Sequence, residues 1–221
     1  MGELKTEARE LGDFNAISMR GIGKLFIEQG KEQLVTIQGD DVAINRITTN
    51  VTNGKLVIDM GRDWVEKISA GFDFLSAHDL RINITIKDLR ELEIAGAAEI
   101  EAKNLKADDL MLKMIGASNV KVLDLKANSL RTEIPGAGKI RVEGSVKDQT
   151  VTLTGAGNFS GHELESKTAK VTISGVGSAQ LWVKDELDVT ITGVGSVEYY
   201  GSPKIKQSVT MLGKISCLGK K

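Results

Sequence analysis

The side chains in this chain that could do chemistry are few. Two pairs of adjacent carboxylates, Asp40/Asp41 and Asp108/Asp109, are the nearest approach to the acid and base of proton-transfer catalysis. Both pairs fall where the surrounding pattern expects loops, and adjacent residues on a strand would point to opposite faces, so solvated charge is expected at both. The two histidines are His78 and His162, the latter beside Glu163. No serine elbow accompanies either, and both are read as surface residues, so no catalytic residue is assigned. A lone cysteine, Cys217, rules out an intrachain disulfide framework, and with two separated histidines it supplies no metal-ligand spacing. No bound metal is expected.

Five Gly-x-Gly corners (Gly21/Gly23, Gly136/Gly138, Gly155/Gly157, Gly175/Gly177 and Gly193/Gly195) imitate phosphate loops. A phosphate loop sets its glycines between a strand and a helix N-terminus, whereas these run into further strand-like sequence and never complete G-x-G-x-x-G or G-K-[ST]. No nucleotide or other cofactor is expected. No aspartate recurs at a fixed place between the corners, which argues against the calcium-binding repeats of another solenoid class.

The corners must therefore be explained by the elements around them. The chain has 221 residues, with 29 basic and 30 acidic side chains, a balance that disfavours a nucleic-acid footprint. Hydrophobic content of 41% suits a globular chain, while 24 glycines, two prolines and 4% aromatics call for an aliphatic core and many tight corners. No apolar run approaches the length of a membrane-spanning helix, and the opening MGELKTEARELGDF is polar, so neither a transmembrane segment nor a signal peptide is expected in the chain as given.

A frame with glycine at its centre recurs at Gly96, Gly116, Gly136, Gly155, Gly175, Gly193 and Gly213, at intervals of 18 to 20 residues, and fits again at Gly21 and Gly39. Four and two residues before the glycine stand apolar pairs such as Ile17 and Met19, Leu92 and Ile94, Val151 and Leu153, Val171 and Ile173, Val189 and Ile191, and Val209 and Met211. Thr132, paired with Ile134, is the exception. Four residues after it come Leu25, Ala43, Ile100, Val120, Ile140, Phe159, Ala179, Val197 and Cys217. The residues between are mostly Thr, Ser, Lys or Glu, the alternation of strands with one buried face.

Identical inward positions at a fixed period stack most simply when successive copies run parallel. The expected fold is all-β, a right-handed parallel β-helix spanning residues 1–221 as one domain. Two degenerate turns centred on Met60 and His78 bring the count to about eleven turns of 18–21 residues, a rod roughly 50 Å long at about 4.8 Å per turn. Residues 62–79 depart from the frame and carry Trp64, Phe72 and Phe74, which predicts a side excursion covering the solenoid flank. Cys217 is expected to be buried in the last core level.

Strand alternation turns Thr152, Thr154, Thr172, Ser174, Thr190, Thr192 and Thr210 outward on one side of four consecutive turns, an uncharged strip suited to a protein partner, a second protomer or a glycan. The segments DFNAIS (13–18), GIGKLFIEQG (21–30), VTIQGD (35–40) and NGKLVI (53–58), with the corners ISGVGS (173–178) and ITGVGS (191–196), resemble the auto-transporter adhesin head GIN domain family of bacterial proteins. The resemblance implies an exported protein of the periplasm, outer membrane or cell surface and designates no catalytic residue. A non-enzymatic binding module is the favoured reading. A carbohydrate-active β-helix enzyme with a groove assembled across turns, and a self-assembling structural protein, are the alternatives.

Overall fold

The computed structural model describes residues 4–61 and 80–221. In chain order its N-terminal part contains β1 (Lys5–Arg9), β2 (Ala16–Gln29), β3 (Leu34–Gly39), the helix α1 (Asp41–Arg46), β4 (Thr48–Thr52), β5 (Lys55–Asp59) and β6 (Arg81–Ile86). Then follow β7 (Glu91–Lys103), β8 (Lys106–Met114), β9 (Ala117–Ile134), β10 (Ala137–Leu153), β11 (Ala156–Ile173), β12 (Val176–Ile191), β13 (Val194–Tyr200), β14 (Lys204–Val209) and β15 (Gly213–Gly219). From β7 onward every pairing is parallel, and the chain coils as a β-solenoid of about six turns.

The frame read from the sequence is the register of this coil. Leu92, Leu112, Thr132, Val151, Val171 and Val189 stand directly above one another, and Ile100, Val120, Ile140, Phe159, Ala179 and Val197 form a second inward column. Both columns are buried. The glycines recur because the levels meet there backbone to backbone. A Cβ at Gly116 would lie 2.0 Å from the Gly96 carbonyl oxygen, and one at Gly175 2.1 Å from that of Gly155. Any side chain at these positions would force the levels apart. Thr132 is fully buried in its apolar column, and its hydroxyl has no hydrogen-bond partner among the described residues.

The expected eleven turns are too many, because the N-terminal part does not coil throughout. β3 runs antiparallel to both β1 and β6, so the copy of the frame at Gly39 is not a turn of the solenoid. The hairpin β4–β5 closes on Asn53 and Gly54, both at positive φ, as a two-residue Asn-Gly loop favours. β5 then lies parallel to Ala16–Arg20, and β6 parallel to Lys24–Gln29. Together they make one level beneath β2, where the glycine frame calls for two. Met60 does mark that level: its amide donates to the Arg20 carbonyl, and its thioether fills the space under Gly21. His78 and the expected aromatic excursion at 62–79 lie outside the described residues.

Asp40 is also not a solvated loop residue. Its carboxylate accepts the Ala43 amide at 2.7 Å and caps α1, while Asp41 in the first helical turn pairs with Lys5 at 2.7 Å. Asp108 and Asp109 sit on β8, exposed, and accept hydrogen bonds from Asn128 and Ser129 of the next level.

The last turn corrects the sequence register. Gly213 pairs with Gly195, the second glycine of its corner, so Met211 takes the place of the first and the frame was set two residues late. Ile215, not Cys217, continues the column of Val197. Cys217 lies opposite Tyr199 and is exposed, because no described strand covers β15 on its far side.

Candidate functional site

The strip expected from alternation forms two ladders. Thr152, Thr172 and Thr190 stand in register on β10, β11 and β12, each half-buried. Thr154, Ser174, Thr192 and Thr210 are exposed at the strand ends, and each amide donates to a carbonyl of the preceding level, from Ile134, Leu153, Ile173 and Ile191. Glu133 precedes the first ladder and Ser208 continues it, so the uncharged stretch covers four levels. Next to it runs a ridge that sequence reasoning missed. The residues between the paired glycines, Ala137, Ala156, Val176 and Val194, stack in register, are exposed, and lead to Leu212 in the last turn. The signal was in the sequence, since the middle residue of every Gly-x-Gly corner is apolar.

Beyond the corner lies a groove of about 680 Å³, within the usual range of ligand-binding clefts. Two outward columns wall it. One consists of Lys24, Glu99, Asn119, Lys139 and Asn158, and the other of Phe26, Glu101, Lys121, Arg141 and Ser160. Phe26 and Glu101 also line a smaller hollow of about 260 Å³ with Asn83, Thr85 and Lys103. Phe26 is thus an aromatic partition between two depressions on one face. The columns are regular in position but mixed in residue type, which is why no pattern announced them.

The charges in the groove are unevenly compensated. Arg141 is held in its ionised form by hydrogen bonds at 2.7 Å to Glu163 and to Glu143, and the same bond holds Glu163 below the usual carboxylate range. Lys24 faces Glu99 at 3.7 Å, and Glu101 is paired with Lys103. Lys121 and Lys139 make no ion pair among the described residues. The groove therefore offers two cations without an ion pair among the described residues, two amides, a hydroxyl and an aromatic ring.

At its edge the Ser160 hydroxyl lies 2.9 Å from His162 Nδ1. A nucleophilic serine would also need a group orienting the far side of the imidazole, but the adjacent residue Glu163 is engaged by Arg141. Among the described residues no three His, Cys, Asp or Glu side chains gather as metal ligands, and no helix is long and apolar enough to cross a membrane.

Fold and surface together define a β-solenoid scaffold that presents extended outer faces. The chain belongs to the family described as "Putative auto-transporter adhesin, head GIN domain", which it matches over residues 13–203. Its fold is that of a "putative adhesin" of Bacteroides fragilis NCTC 9343, with a TM-score of 0.88, 23% identity, and coverage of 98% of this chain and 97% of that one. A "putative lipid binding protein" of Parabacteroides distasonis ATCC 8503 superposes with a TM-score of 0.71 at 22% identity, covering 98% and 97%. A "putative adhesin" of Parabacteroides merdae ATCC 43184 gives 0.68 at 21% identity over the same shares. No curated relative matches the sequence.

Proposed function

We propose that the protein is a non-enzymatic, adhesin-like binding module that holds a segment of glycan in the groove beside Phe26. The observation carrying this reading is the lining. Amides, a hydroxyl and the ammonium groups of Lys121 and Lys139 supply the donors and acceptors that a polyhydroxylated ligand needs, and an aromatic ring supplies an apolar platform. These groups repeat once per level, about 4.8 Å along the solenoid, so an extended chain lying across the strands meets a fresh set at each step. The family's adhesin description supports the same reading, and with it a location outside the cytoplasm.

The test is a screen of glycans and extracellular matrix proteins, run beside a polysaccharide-degradation assay. Asn119→Ala with Lys139→Ala should weaken glycan binding about tenfold, the loss of one to two polar contacts. The ladder variant Thr172→Lys with Thr190→Lys should leave it unchanged. If the ladder variant abolishes binding and the groove variant does not, the threonine strip is the contact face. Release of reducing or unsaturated sugar ends would replace this reading with the enzymatic one.

A further inference from the structure

The last level of the solenoid, residues 200–221, differs from those behind it. β14 pairs only with β12 and β15 only with β13, so both leave an edge unpaired among the described residues. Ile205 and Val209 continue the columns of Leu187 and Ile191 yet are exposed. Between the two strands the corner projects Met211 and Leu212, 63% and 75% exposed, two consecutive large apolar side chains facing solvent. The same stretch contains Lys204, Lys206, Lys214, Lys220 and Lys221, with no acidic residue and no arginine. Lys206 is bridged to Glu186, and Lys221 donates to the His162 carbonyl and lies over the rings of Trp182 and Tyr200. Lys204, Lys214 and Lys220 have no ion pair among the described residues.

We propose that this end of the solenoid docks on an anionic lipid surface, with Met211 and Leu212 entering the interfacial layer and the lysines set against the headgroups. The composition separates this occupant from the others. A second copy meeting the same end would bring lysines against lysines, and lysines on an exposed strand edge oppose edge-to-edge pairing. A protein partner is engaged mainly through tyrosine, tryptophan and arginine, with lysine depleted, whereas all five cations here are lysine. Apolar side chains joined to a lysine cluster are the two weak signals that together hold a protein on an anionic bilayer. The surface is remote in sequence from the groove, and the proposal stands without the glycan reading.

The experiment is co-sedimentation of the full chain with phosphatidylcholine vesicles, with and without phosphatidylglycerol. Binding should require the anionic lipid and fall as salt screens the lysines. Met211→Ser with Leu212→Ser should weaken it about tenfold or more, with an unchanged melting temperature because neither side chain is packed. Lys214→Glu with Lys220→Glu, an independent variant, should weaken it on anionic vesicles by a similar factor. Equal binding to neutral vesicles, or none to anionic ones, overturns the proposal. So does a vesicle-free dimer that the serine variant dissolves, which would assign the end to a second copy.

Discussion

The two ends of the solenoid are made of similar side chains and fare differently. At the N-terminal end the chain folds back across its own first levels. β3 lies antiparallel on β6 with β1 outside it, and α1 packs against β3, so that Val35, Ile37, Ala43, Ile44, Ile82 and Ile84 are all buried. At the other end Ile205 and Val209 remain exposed, although they stand in line with Leu187 and Ile191, which are fully buried one level back. Burial in a stacked fold is therefore conferred by the next level, and residue type alone does not decide it. Thr132 makes the converse point: it is polar and completely enclosed, because levels cover it on both sides.

Substitutions in the closed interior should cost the most. Gly175→Ala drives a Cβ to 2.1 Å from a backbone oxygen of the level below and should cost about 4 kcal/mol or more, or prevent folding; equilibrium denaturation reads the loss. Next in size, Ile173→Ala should cost about 2 to 5 kcal/mol, because it leaves a cavity in a closed column. Val209→Ala and Thr172→Ala should each cost about 1 kcal/mol or less, since one lacks a covering level and the other faces outward. A Val209→Ala loss as large as that of Ile173→Ala would mean that the open end is covered in solution. Thr132→Val should stabilise by about 1 kcal/mol, exchanging an unpartnered hydroxyl for a methyl in a column that already accepts valine. The smallest effect belongs to Cys217. Its replacement by serine should change stability by no more than about 0.5 kcal/mol, while the native thiol should react rapidly with a labelling reagent. Slow labelling would restore the burial expected from the sequence.

The interior was legible in the sequence because parallel in-register stacking repeats one requirement at each level. Alternation turns Val171, Ile173, Val189 and Ile191 inward, and all four are buried. The N-terminal part was misread because alternation specifies which face a residue takes but not the direction of the neighbouring strand. Val35 and Ile37 alternate equally well in an antiparallel pair. The Asn53–Gly54 turn was the local clue that a hairpin intervened. At the last turn the single glycine is the second of the corner, whereas Gly96 and Gly116 are the first of theirs, and Val209 and Met211 satisfy the apolar test in the wrong register. The groove was invisible for another reason. Each level contributes two outward residues of unconstrained type, so Asn119, Lys121, Lys139 and Arg141 become a site only when the levels are stacked.

The glycine column has a further consequence, for how such a chain can change length. Ala156 occupies the same register as Ala137, so removing residues 137–155 would join Gly136 to Ala156 with every inward and outward position still in phase. The molecule would shorten by one step of about 4.8 Å and keep both of its ends. Duplicating the same stretch would lengthen it by one step and add one more rung to each outer face. The distance from the capped end to the open one is thus counted in whole levels, and the solenoid is a gauge whose reach can be reset by unequal recombination without redesign of either terminus.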